Sequence, residues 1–216
     1  MFDKRCRTGV EKGLRPVGTS LGKVGVTADQ LTVMGILISV LAGLAVARGW
    51  LWAGAALLAA SAIPDVLDGA VAKASGTSSP RGAFFDSVSD RVSDTFVLGG
   101  VAWYLASVDG AHAALLPFAI AGASNLVSYE RARAESLGFT ARGGLMERAE
   151  RMLLLGLGLI FNAVLVPALW LLLVLTLITA VHRFVMVWRQ ASLPNRAATD
   201  RLRDRWRGWR PEGFAP

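Results

Sequence analysis

The chain has 216 residues, 53% of them hydrophobic, and carries a formal net charge of +7. Its mean hydropathy of +0.46 exceeds what a soluble domain of this length ordinarily reaches, and points instead to membrane helices built from runs of about twenty apolar residues. The single cysteine, Cys6, excludes an internal disulfide framework.

The first 24 residues lack the continuous apolar stretch of a signal peptide. Phe2, Cys6, Val10, Leu14, Val17 and Leu21 recur at intervals of three or four, with Lys4, Arg5, Arg7, Lys12 and Arg15 around them. That pattern predicts an amphipathic basic helix lying in the membrane interface; the alternative is a solvated helix packed on the domain. Six apolar segments follow, at 29–47, 51–74, 84–107, 112–136, 146–163 and 167–189. The expected fold is therefore an all-α integral membrane protein of six transmembrane helices plus an N-terminal amphipathic interfacial helix. One membrane domain spans 1–189, and a basic tail occupies 190–216.

Charge sets the expected topology. With the N-terminus in the cytoplasm, only Arg48 of the 23 lysines and arginines falls in an outer loop. This is the bias of the positive-inside rule, and it places both termini on the cytoplasmic side of a multi-pass cell-membrane protein. No internal repeat is visible, which weighs against inverted-repeat transporters. Despite the positive charge, no nucleic-acid partner is expected; the surroundings are membrane lipids.

Aspartates interrupt this apolar pattern. A carboxylate near the middle of a membrane helix costs roughly 2.5–3.5 kcal/mol on insertion scales. Asp65 and Asp68 share a face of segment two, and Asp86, Asp90 and Asp94 form an i+4 ladder on segment three. A short turn containing Gly76, Pro80 and Gly82 joins the two segments, so the carboxylates should converge near the cytoplasmic surface. At that distance they repel unless cations neutralise them, and oxygen-only ligands select hard ions such as Mg²⁺ or Mn²⁺. Such ions commonly bind substrate phosphates as well. Pro64 is expected to kink segment two just before Asp65, and Gly69 removes a side chain where a ligand would approach. Asp94 is the member that reads most readily as an interhelical polar contact.

The string Asp65-x2-Asp68-Gly69-x2-Ala72-Lys73-x8-Gly82-x3-Asp86-x3-Asp90 resembles the signature D-x2-D-G-x2-A-R-x8-G-x3-D-x3-D of the CDP-alcohol phosphatidyltransferases. These are six-helix membrane enzymes of phospholipid synthesis. Lys73 departs from the usual arginine, keeping the charge and losing the bidentate fork. The resemblance implies two Mg²⁺ or Mn²⁺ ions per active site, held by Asp65, Asp68, Asp86 and Asp90, with Asp90 also the catalytic base. It further implies that Asp68, Gly69, Ala72, Lys73 and Gly82 bind the CDP-lipid, CDP-diacylglycerol. The stretch Thr27-Ala28-Asp29-Gln30-Leu31-Thr32 is similar to the family's T-P-N/D-x-x-T, which adds Asp29 and Thr32 to that set.

A second constellation is basic: Arg131 and Arg133 end segment four, Arg148 and Arg151 open segment five, and Arg183 lies near the inner end of segment six. Arginines at inner helix ends commonly serve topology alone, but three helices contributing together point to an anion, here a phosphate on the acceptor. The patterns SYERARAE and GGLMERAER, with a late arginine, look like the actinobacterial phosphatidylinositol phosphate synthases. That resemblance implies inositol phosphate as acceptor, a homodimer, and phosphate binding by Arg131, Arg133, Arg151 and Arg183. Phosphatidylglycerol phosphate synthesis from glycerol 3-phosphate is the alternative acceptor reading. A cation-coupled membrane transporter is the alternative from another class.

Overall fold

In a computed structural model, the structure describes residue 20 and residues 25–192 other than 75, 78 and 142. The expected interfacial helix and most of the basic tail lie outside the described residues, as does the Lys73 side chain. The described residues form α-helices and short 3₁₀ turns, with no strand among them. We label the helices α1 (Ala28–Ala47), α2 (Leu51–Ala74), α3 (Pro80–Asp109), α4 (Leu115–Ser136), α5 (Arg148–Ile160) and α6 (Leu165–Ser192).

Local chemistry sets several boundaries. The Thr27 hydroxyl accepts from the Gln30 amide, and the Gln30 side chain accepts from the Thr27 amide, a reciprocal cap that starts α1. The segment expected to begin at 84 starts instead at Pro80, because Ser79 caps it by accepting from the Gly82 amide at 3.1 Å and proline suits the first helical turn. Pro80 and Gly82 thus belong to α3 rather than to the turn. The helix expected over 146–163 is shorter, ending at Ile160 ahead of a 3₁₀ turn at Asn162–Val164. The last helix runs from Leu165, and residues 190–192, expected in the tail, are its final turn.

α1 packs on α2 and α3, α4 on α3 and α6, and α5 on α2 and α6. The α1–α3 crossing is close because both surfaces are glycine there. A Cβ at Gly43 would overlap the Phe96 carbonyl, and one at Gly100 would overlap the Gly43 carbonyl. Around that crossing lies an apolar core that includes Ala42, Val46, Leu58, Val97, Val101 and Ile120. Leu155, Leu159, Leu165, Leu169 and Leu172 extend it into α5 and α6.

The outward faces are apolar as well. Leu37, Leu41, Trp52, Trp103, Phe118, Leu153, Trp170 and Val181 are all exposed. In water such a surface would aggregate; in lipid it faces its own solvent. Among the described residues, four stretches are long and apolar enough to cross a membrane: Ala28–Ala47, Leu51–Ala72, Ala111–Ser136 and Asn162–Ser192. α3 is long but carries its acids and arginines, and α5 at 13 residues spans only ~20 Å. Length and composition therefore support a multi-pass chain without giving the full count of six spans.

Candidate active site

The N-terminal half of α1, the C-terminal half of α2 and the N-terminal half of α3 meet at one end of the bundle. There Thr32, Asp65, Asp68, Asp86, Asp90 and Arg148 line a single cleft together with Ser39, Ser61, Ser89 and Ser93. The i, i+3 and i+4 spacings of the sequence place these side chains on facing surfaces, as a short α2–α3 connection requires.

Asp65, Asp68 and Asp86 each offer a carboxylate oxygen, and the three oxygens lie within 4.8 Å of one another. A donor set of oxygens alone, from two helices, suits a hard divalent ion. Asp68 is 7% exposed and accepts a 2.8 Å hydrogen bond from the Thr32 hydroxyl. That contact fixes which way the carboxylate points. Thr32, expected to contact the CDP-lipid, thus also positions Asp68 from α1.

Asp90 lies in the same cleft but outside that close trio. Its Oδ1 forms an ion pair with Arg148 Nη1 at 2.9 Å, and the same nitrogen lies 2.9 Å from Asp65 Oδ2. Arg148 Nε reaches Asp94 Oδ1 at 3.3 Å, and Arg151 Nη2 reaches Asp94 Oδ2 at 3.2 Å. Asp94 is therefore an interhelical contact that ties α3 to both arginines of α5.

The expected phosphate-binding arginines are not alike. Arg131 and Arg133 are exposed at the end of α4, with Arg131 paired to Glu135 at 3.1 Å. Arg151 and Arg183 are 5% and 4% exposed. Arg183 donates to the carbonyls of Gly143 at 2.9 Å and Val127 at 3.0 Å, so it clasps the α4–α5 connection to α6. Thr179 adds to the clasp by accepting from the Met146 amide, and Gln190 bonds Thr140. Gly144 lies against Thr179 with φ +140°, a close approach that a side chain would block. This clasp sets where α5 begins, and so where Arg148 stands.

The glycines of the expected lipid site are open. A Cβ at Gly69 would meet nothing within 4 Å, and one at Gly82 would meet only the Ser79 hydroxyl at 3.5 Å. Ala72 is partly buried on the same helix as Gly69. Asp29 is engaged by Arg81 at 2.7 Å, a bond between the first turns of α1 and α3 in an exposed setting. Sequence reasoning missed Arg148 as a partner of the acids, and it missed the serines. Ser89 and Ser93 follow Asp86 and Asp90 by three residues, so helical spacing alone placed them on the acid face.

Residues 25–191 match the model of the CDP-alcohol phosphatidyltransferase family. An archaetidylinositol phosphate synthase of Methanothermobacter thermautotrophicus is 38% identical over 174 residues, 78% of this chain and 86% of that one. A phosphatidylinositol phosphate synthase of Mycobacteroides abscessus is 36% identical over 176 residues, covering 78% and 80%. The fold is similar to the crystal structure of Mycobacterium tuberculosis phosphatidylinositol phosphate synthase with CDP-DAG bound, with a TM-score of 0.76 and 33% identity over 81% of this chain and 93% of that one. The same enzyme in complex with manganese and citrate matches with a TM-score of 0.76 and 32% identity, over 81% and 88%.

Proposed function

Because this chain belongs to the CDP-alcohol phosphatidyltransferase family, we propose that it transfers the phosphatidyl group of CDP-diacylglycerol to inositol phosphate, releasing CMP and forming phosphatidylinositol phosphate. The observation that carries this reading is the convergence of Asp65, Asp68, Asp86 and Asp90 on one cleft at the end of the bundle. The oxygen-only trio among them fits Mg²⁺ or Mn²⁺, and the tuberculosis relative binds manganese. Two divalent ions bound by Asp65, Asp68, Asp86 and Asp90 would supply charge neutralisation of the diphosphate and of the departing CMP.

The chain's own residues account for the rest. Gly69 and Gly82 leave open backbone beside the acids, where a nucleotide can lie. The Asp90 carboxylate takes the proton of the acceptor hydroxyl as that oxygen bonds to the phosphorus nearest the diacylglycerol; the bond from that phosphorus to the bridging oxygen breaks, and CMP leaves. Thr32 holds Asp68 in place throughout. Arg131, Arg133, Arg151 and Arg183 would supply the positive charge for the phosphate of the acceptor.

The choice of acceptor rests on the relatives, an archaetidylinositol phosphate synthase and a phosphatidylinositol phosphate synthase, whose names differ in the lipid and share inositol phosphate. All six helices lie in the membrane on this reading, α5 as a short one, with residues 1–24 at the interface and both termini and the active site cytoplasmic. The homodimer is part of the same reading. Mass spectrometry of the lipid product, with inositol phosphate, glycerol 3-phosphate and free inositol supplied in turn, tests the acceptor. A phosphorylated inositol lipid from the first alone is expected. Product only from glycerol 3-phosphate would keep the family chemistry and overturn the acceptor.

A further inference from the structure

Arg148 is a cation that the site already owns. It projects from α5 into the cleft, and its Nη1 forms ion pairs with Asp65 and Asp90, both at 2.9 Å. These are two of the four carboxylates of the signature, one from α2 and one from α3. They are also the two that its guanidinium joins across the helix boundary, whereas Asp68 and Asp86 complete the oxygen trio without it.

We propose that Arg148 is a positioning residue that acts as an internal counter-cation, competing with the second divalent ion for the oxygens of Asp65 and Asp90. The inference rests on the proposed function and concerns how that same site loads. Clustered carboxylates repel strongly when bare, and one divalent ion leaves half of the charge on four of them uncompensated. Arg148 covers part of that remainder and holds Asp90 toward Asp65. A second divalent ion completes the neutralisation and makes the arginine's charge surplus at those oxygens. An ion on the Asp65 and Asp90 oxygens that face Arg148 would also meet its positive charge at close range, so ion and guanidinium compete for those oxygens.

The surroundings make that displacement feasible. Arg148 has a second anchor, Nε to Asp94 at 3.3 Å, so vacating Asp65 and Asp90 does not strand a bare charge in a poorly solvated place. Arg151 takes the other oxygen of Asp94 at 3.2 Å and keeps that anchor facing α5. The backbone at the start of α5 is fixed by the Arg183 and Thr179 clasp, which leaves the side chain as the moving part. Arg148 is also less buried than Arg151, with 28% of its side chain exposed against 6%. The two arginines of one helical turn therefore divide the work: Arg151 is a fixed tie, and Arg148 a displaceable one.

The test is a Mn²⁺ titration of the purified full chain, read as loss of the free-ion signal in electron paramagnetic resonance, for wild type, Arg148→Gln and Arg148→Lys. Wild type should bind a tighter and a weaker ion. In Arg148→Gln the weaker ion should bind about tenfold more tightly, with a smaller gain for the tighter one because Asp65 also belongs to the oxygen trio. Arg148→Lys keeps the charge without the two-sided fork and should lie between them. An unchanged or weakened second ion in Arg148→Gln would overturn the competition. Should that variant fail to fold, a second ion in Arg148→Lys no tighter than in wild type would overturn it. A wild-type chain that binds no Mn²⁺ would instead overturn the proposed function itself.

Discussion

Asp94 divides its two oxygens between Arg148 and Arg151, and Arg151 has little else to balance its charge beyond a long contact to the Met146 carbonyl at 3.5 Å. Truncating one member of a buried ion pair leaves the other uncompensated, which is worth more than the pair's net stabilisation. Asp94→Asn should therefore lower stability by about 3 kcal/mol, read as an earlier thermal transition in detergent micelles. A transition unmoved from wild type would mean that Arg151 finds another counter-charge. The sequence carried a hint of this network. The i+4 ladder on α3 has one acid more than the metal signature uses, and an acid in that setting needs a cation. Which cation is not a local property: it depends on where the clasp to α6 sets down the first turn of α5, and no periodicity in either segment encodes that contact.

At the scale of elements, glycines with the same helical backbone serve opposite purposes. Gly100 lies where α1 and α3 touch backbone to backbone, and Gly69 faces open space. Gly100→Ala should force the helices apart and destabilise by about 1–3 kcal/mol. Gly69→Ala should leave the fold intact or stabilise it by up to ~1 kcal/mol, because alanine is the better helix former, while raising KM for the CDP-lipid. Thermal melts paired with steady-state kinetics separate the two; a stable Gly100→Ala or a Gly69→Ala with normal KM would contradict the account. The helices themselves were legible because long apolar runs and their polar breaks are strong signals. The boundaries that moved were governed by caps, as at Ser79 and Pro80, or by a 3₁₀ turn, as after Ile160. The carboxylates were legible because membrane helices tolerate so few of them. Gly43 and Gly100 were not, since a glycine in an apolar run reads the same whether it meets a neighbouring backbone or lipid.

For the whole molecule, apolar outward faces and an asymmetric distribution of lysine and arginine specify a chain in a bilayer with its acid cleft at one end. If the basic loops are cytoplasmic, so is the N-terminus, and the chain's single cysteine reports on it. A membrane-impermeant maleimide should label Cys6 in inside-out vesicles and leave it unlabelled in right-side-out ones. Labelling only from the opposite face would invert the topology and move the active site with it.

The central claim is that these aspartates serve metal-dependent phosphatidyl transfer, and CMP release from CDP-diacylglycerol in the presence of inositol phosphate measures it most directly. Release should vanish on chelation, return with Mn²⁺, and fall about 10²–10⁴-fold in Asp90→Asn, the range for loss of a general base. Release that survives both chelation and Asp90→Asn, or a wild-type chain that releases no CMP with the metal supplied, would contradict the account.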